Sequence, residues 1–166
     1  AGISLDSVGF NPGQFDITEK VLRKGNGLFL VSSPGPEGVA TTLFSMLREG
    51  YRPGLRTITV EERHKFRNEG YIQLDRRQAS ARYSGDWSRL AESLEPDILM
   101  IEQLPDPADL VDLLHLAQAG ILGIFRSPGQ LDAGILHISR IDLHPRCQQR
   151  PHAGIVRNRV FVDEFA

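Results

Sequence analysis

Residues 28–47 read Leu28-Phe29-Leu30-Val31-Ser32-Ser33-Pro34-Gly35-Pro36-Glu37-Gly38-Val39-Ala40-Thr41-Thr42-Leu43-Phe44-Ser45-Met46-Leu47, and three kinds of structure follow one another in them. Four consecutive apolar residues, Leu28 to Val31, have the composition of a strand buried on both faces. Pro34, Gly35, Pro36 and Gly38 then force a loop. Val39, Leu43, Phe44, Met46 and Leu47 recur at helical spacing until Gly50 closes the segment. The unit is strand, loop, helix.

Outward from this unit the same alternation continues. Phe15, Ile17, Val21 and Leu22 predict an amphipathic helix over Gln14–Lys24, broken by Gly25-Asn26-Gly27. Leu55–Val60 reads as a second strand and Tyr71–Leu74 as a candidate third. Asp86 can cap a helix to about Ser93, and Ile98-Leu99-Met100-Ile101 is a second fully apolar run. Asp106-Pro107 has the chemistry of a helix start, with Leu110, Leu113, Leu114 and Ala117 as the buried face before Gly120. Ile121–Phe125 returns as strand. In the tail, Ile135–Ile138 and Arg159–Val162 are short strands that extend the sheet or form a small edge subdomain. Strands alternating with helices predict a three-layer α/β fold around a mostly parallel sheet.

The chain has 166 residues, 40% of them apolar, enough for one substantial core, so residues 1–166 are expected to form a single domain. It carries no eighteen-residue apolar run and no basic-then-apolar leader, and Cys147 is alone. A cytoplasmic protein without membrane insertion is the expectation. The first residue is not Met, which leaves room for a longer parent. Net charge is −2, yet residues 48–85 hold nine Lys or Arg against five Asp or Glu, whereas residues 86–112 hold eight acids and one Arg. These are either complementary docking faces or two solvated surfaces of opposite sign.

A glycine-containing loop between a buried strand and a helix aims backbone N–H groups at phosphate. The working pattern is G-x-x-x-x-G-K-[ST], in which Lys reaches the β and γ phosphates and the hydroxyl holds magnesium. Here Ser33-Pro34-Gly35-Pro36-Glu37-Gly38-Val39-Ala40 occupies it: Gly38 keeps its place, Val39 replaces the Lys and Ala40 the hydroxyl. Pro36 removes a donor, and a Glu37 carboxylate about 4 Å from a phosphate is repelled by roughly 4 kcal/mol per unit charge at an effective dielectric of about 20. Thr41 and Thr42 are the nearest substitutes for the magnesium hydroxyl.

Gly27–Val31, the loop and Thr41–Leu47 together resemble the motor domain of type II secretion and type IV pilus assembly ATPases. The resemblance implies a phosphate-binding-loop (RecA-like) fold and continues over most of the chain. Thr57-Ile58-Thr59-Val60-Glu61-Glu62 is similar to the family's aspartate-box strand, with Glu61 and Glu62 in the acidic places. Pro96 to Asp106 is similar to its Walker B strand, but Glu102 stands for the Gly and Gln103 for the Glu; an amide cannot take a proton as a carboxylate does. Strand alternation would turn the Glu102 carboxylate the other way. The segment after Ala119-Gly120 lacks the family's His. Residues 143–166 are similar to a shortened form of its C-terminal segment, where Cys147, His144 and His152 give three candidate ligands against the four of a closed zinc site, so no metal is expected.

These departures predict a catalytically inactive relative, without cofactor, that serves as an interaction or regulatory module in a type II secretion or type IV pilus-type system. Its expected partners are proteins of such a machine, including an active paralogous ATPase. The alternative is a nucleotide-binding ATPase that uses ATP and Mg2+ through Gly35, Gly38, Thr41 and Glu61 or Glu62. A third reading is nucleic-acid binding through Arg52, Arg56, Arg63, Lys65, Arg67, Arg76, Arg77 and Arg82, interleaved with Tyr51, Phe66, Tyr71 and Tyr83; with no recognition motif and a net charge of −2, nucleic acid is not the expected partner.

Overall fold

The computed structural model describes residues 3–32, 38–64, 67–103, 109–126, 137–141 and 161–163. After a 3-10 turn at Leu5–Ser7, the elements run α1 (Pro12–Lys24), β1 (Gly27–Ser32), α2 (Val39–Gly50), β2 (Thr57–Glu61), β3 (Tyr71–Asp75), α3 (Arg76–Tyr83), α4 (Trp87–Leu94), β4 (Ile98–Ile101), α5 (Asp109–Gln118), β5 (Leu122–Arg126), β6 (His137–Ile141) and β7 (Phe161–Asp163). Among the described residues no helix is long and apolar enough to cross a membrane.

Local chemistry sets most of these boundaries. Asn11 and Gln14 form a reciprocal capping box, each side chain accepting the other's backbone N–H at 2.9 and 2.7 Å, so α1 starts two residues earlier than its apolar periodicity suggests. Asp86 accepts the Arg89 N–H at 2.9 Å and starts α4 where expected. The start of α5 expected at Asp106-Pro107 lies outside the described residues. Gly50 does not end α2 as a left-handed cap. It is the last helical residue, Tyr51 follows in extended conformation, and a Cβ at Gly50 would meet Leu122 Cδ2 at 3.3 Å. Close packing of α2 on the sheet is what that position requires.

The helix α3 was not legible from periodicity, because Arg76-Arg77-Gln78-Ala79-Ser80-Ala81-Arg82-Tyr83 buries only Ala79 and Tyr83. Asp75, the last residue of β3, caps it by accepting the Arg77 N–H at 2.7 Å. Strand thus passes into helix with no intervening loop.

The sheet order is β3-β2-β4-β5-β1-β6-β7. Five strands, β3 through β1, are parallel; β6 runs antiparallel to β1 and β7 to β6. The tail therefore extends the sheet, with both strands placed slightly later in the chain than their composition suggested. Strand alternation sorts the core into two layers. Phe29, Val31, Ile98, Met100, Leu122 and Ile124 pack with Val21 and Leu22 of α1 and Val39, Leu43, Met46 and Leu47 of α2. Leu28, Ile58, Val60, Leu99, Ile101 and Phe125 face α3, α4 and α5 through Tyr83, Trp87, Leu90 and Leu113. Each such large side chain, fully buried, contributes about 1.5–3 kcal/mol. The result is the three-layer α/β/α arrangement expected for a phosphate-binding-loop fold.

Candidate functional site

In a parallel sheet the carboxyl ends of the strands share one edge. Here α2 leaves β1 to cover one face while α5, between β4 and β5, covers the other. The crevice where connections depart to opposite faces is where open α/β sheets bind ligands. Of the positions singled out in the sequence, the described ones, Gly38 to Thr42, Glu61, Glu62, Glu102 and Gln103, lie at the start of α2 and at or just after the carboxyl ends of β2 and β4.

Ser33, Pro34, Gly35, Pro36 and Glu37 lie outside the described residues. Gly38 is the N-cap of α2, at φ 80°, a left-handed conformation that favours glycine. Val39, at the lysine position, is 1% exposed and packs in the apolar layer with Val31, Leu43 and Met100. Ala40 is half-buried and Thr41 exposed. Thr42 is buried, and its Oγ1 donates to the Gly38 carbonyl at 3.0 Å. The described part of the loop thus presents no cationic side chain, and the hydroxyl of Thr42 is committed to the helix. Val39 and Ala40 supply neither the lysine nor the hydroxyl of the G-x-x-x-x-G-K-[ST] pattern, and the exposed Thr41 is the hydroxyl left nearest to it.

The acidic pair splits. Glu61 is 1% exposed; its Oε1 accepts the Thr59 hydroxyl at 2.6 Å and the Gln73 amide at 3.0 Å, while its Oε2 is buried without a hydrogen-bond partner. Glu62 is exposed and paired with Arg76. Glu102 is buried at the end of β4, and its Oε2 accepts the Glu62 main-chain N–H at 2.9 Å. Its carboxylate is thus drawn to the end of β2, an outcome that the alternation argument did not anticipate. Gln103 is exposed. Arg126, overlooked in the sequence, ends β5 half-buried and in register with Val31 of β1. A basic residue directly after the apolar strand Ile121–Phe125 was the available signal.

A buried carboxylate oxygen without a partner costs about 1–3 kcal/mol. Glu61→Gln keeps the acceptor for Thr59 and Gln73 and removes the carboxylate, so urea unfolding should show stability unchanged or raised by about 1 kcal/mol. A marked loss of stability would instead mean that Oε2 is satisfied by a bound cation or water.

Among the described residues no group of three or more His, Cys, Asp or Glu is arranged to hold a metal. Cys147, His144 and His152 lie outside them. Of the aromatics interleaved with the basic stretch, Tyr83 is buried, and Tyr71 meets Tyr51 edge-on at 5.3 Å between centroids. Burial, with Tyr51 adjacent, pushes the Tyr71 hydroxyl above the usual tyrosine range. Lys65 and Phe66 lie outside the described residues.

The fold is the mostly parallel α/β arrangement of the P-loop class, and comparison with known proteins agrees. The structure resembles the pilus retraction motor PilT with bound ADP, with a TM-score of 0.57 and 20% identity over 78% of this chain and 38% of that one. In sequence the chain is similar to the type IV pilus assembly ATPase PilB of Thermus thermophilus, 28% identical over 105 residues, covering 61% of this chain and 12% of that protein. It is also similar to the type II secretion system protein E of Xanthomonas campestris pv. campestris, 30% identical over 102 residues, covering 60% of this chain and 18% of that protein. No family model matches. The chain is thus similar in sequence to the type II secretion and type IV pilus assembly ATPases, and the match spans less than a fifth of either of these two curated relatives.

Proposed function

We propose that this chain is a non-hydrolysing relative of the secretion and pilus ATPases, acting through protein contacts as an interaction or regulatory module of such a system. The observation that supports this most is the burial of Val39: the position whose lysine would neutralise phosphate is part of the apolar core. Phosphoryl transfer depends on placed charge rather than covalent chemistry. Substitutions at Val39, Ala40 and Gln103 together remove the cation, the magnesium hydroxyl and the water-orienting carboxylate of that chemistry. Protein partners in the machine, including an active ATPase, are what remains for the fold to serve.

Isothermal titration with ATP and with ADP, each with and without magnesium and up to millimolar concentration, tests this. The expected result is no heat and an unchanged melting temperature. Micromolar binding, or magnesium-dependent turnover lost when Glu61 and Glu62 are changed together, would replace it with the alternative of an ATPase with an atypical loop.

A further inference from the structure

Beside the strand-end row, on the outer side of the sheet, an open cleft of about 530 Å3 is lined by Glu62, Arg63, Asp75, Arg76, Arg77 and Ser80. Its polarity is set by how its charges are committed. Asp75 is engaged in capping α3 and Glu62 in pairing with Arg76. The guanidinium groups of Arg63 and Arg77 have no hydrogen-bond or ion-pair partner among the described residues, Arg77 being held by Asp75 through its main-chain N–H alone, and both residues are exposed. Ser80 stands one turn along α3 from Arg76 and Arg77, an exposed hydroxyl on the same side of the helix. Two uncommitted guanidinium groups, a third held by an exposed pair and a hydroxyl thus converge on one concavity.

We infer that this cleft docks an acidic segment of a partner protein, its Asp and Glu carboxylates taken by Arg63 and Arg77. This deepens the interaction reading above and rests on it. Guanidinium forks match carboxylates bidentately. A nucleic-acid strand would need a continuous basic track and exposed stacking rings. Here Glu62 and Asp75 interrupt the track, and Tyr83, the last residue of α3, is buried. An incoming carboxylate also competes with Glu62 for Arg76. Because the Glu62 N–H is held by Glu102, the cleft is joined by hydrogen bonds to the end of β4.

The test is fluorescence anisotropy with a labelled peptide of alternating Glu and Ser, at low and at near-physiological salt. A single-stranded oligonucleotide and inorganic phosphate serve as competitors. The expected result is saturable binding that weakens by about tenfold in Arg63→Ala/Arg77→Ala. It should be unchanged in Arg23→Ala/Arg89→Ala, which removes equal charge from elsewhere on the surface. Equal losses in both double variants, no binding by the parent chain, or stronger displacement by the oligonucleotide or by phosphate than by unlabelled peptide would each overturn the proposal. Nucleotide titration of the same preparations separates the two readings. A silent titration with no peptide binding sinks the cleft alone, whereas ATP turnover sinks the non-hydrolysing reading whatever the peptide does.

Discussion

Replacing Val39 with lysine lowers the stability of the chain by about 3 kcal/mol and leaves ATP unbound. The side chain at this position is 1% exposed, in one layer with Leu5, Val31, Leu43 and Met100. Lysine forfeits the burial of the valine methyls and obliges an ammonium either to desolvate or to pull the first turn of α2 away from the sheet. Val39→Ala isolates the first contribution, at about 2 kcal/mol including the cavity left behind. The difference between the two variants therefore reports the cost of the charge. Urea unfolding followed by circular dichroism, with and without millimolar magnesium ATP, supplies both measurements. A lysine variant as stable as the parent and further stabilised by ATP would mean that residue 39 turns into a working phosphate site. The non-hydrolysing reading would then fail at its main support.

What the sequence disclosed about this edge was composition and order, and what it withheld was direction. The strand Leu28–Val31 and the helix Val39–Gly50 were legible because each is continuous in its own period, and the structure places β1 at Gly27–Ser32 and α2 at the same residues. That Val39 lacks the lysine charge was plain; that it is core depends on how α2 lies against β4 and β5, which no local pattern encodes. Glu61 and Glu62 looked equivalent as neighbours, yet one closes a strand facing the α1–α2 layer and the other faces solvent. Pairing with Gln73 and Arg76, residues more than ten positions away, completes that difference. The helix α3 was invisible for a different reason. Its stability comes from an Asp75 cap and two buried side chains rather than an apolar stripe, and its arginines read as a charge run until the fold set three of the basic residues around one cleft.

The strand β5 carries the second large effect, at Gly123. This glycine lies between Leu99 of β4 and Leu28 of β1 in parallel register, in the middle of the sheet. A Cβ there would stand 2.5 and 2.6 Å from Phe125 Cε2 and Cζ and 2.8 Å from Leu28 Cδ1. Residues two apart in a strand share a face, so the Phe125 ring folds back over the space that Gly123 leaves empty. Phe125 is 1% exposed and Leu28 fully buried, so neither can yield toward solvent. Gly123→Ala should therefore destabilise by about 2–3 kcal/mol through overpacking, although alanine restricts the unfolded chain more than glycine does. Phe125→Leu alone should also destabilise, by leaving part of that space vacant. Combined, the two changes should cost less than their sum by at least about 1 kcal/mol, because the smaller side chain makes room for the added methyl. Urea midpoints of the four chains in this cycle measure the coupling. Strict additivity would show that the ring and the glycine do not share the space and that β5 needs its glycine for another reason.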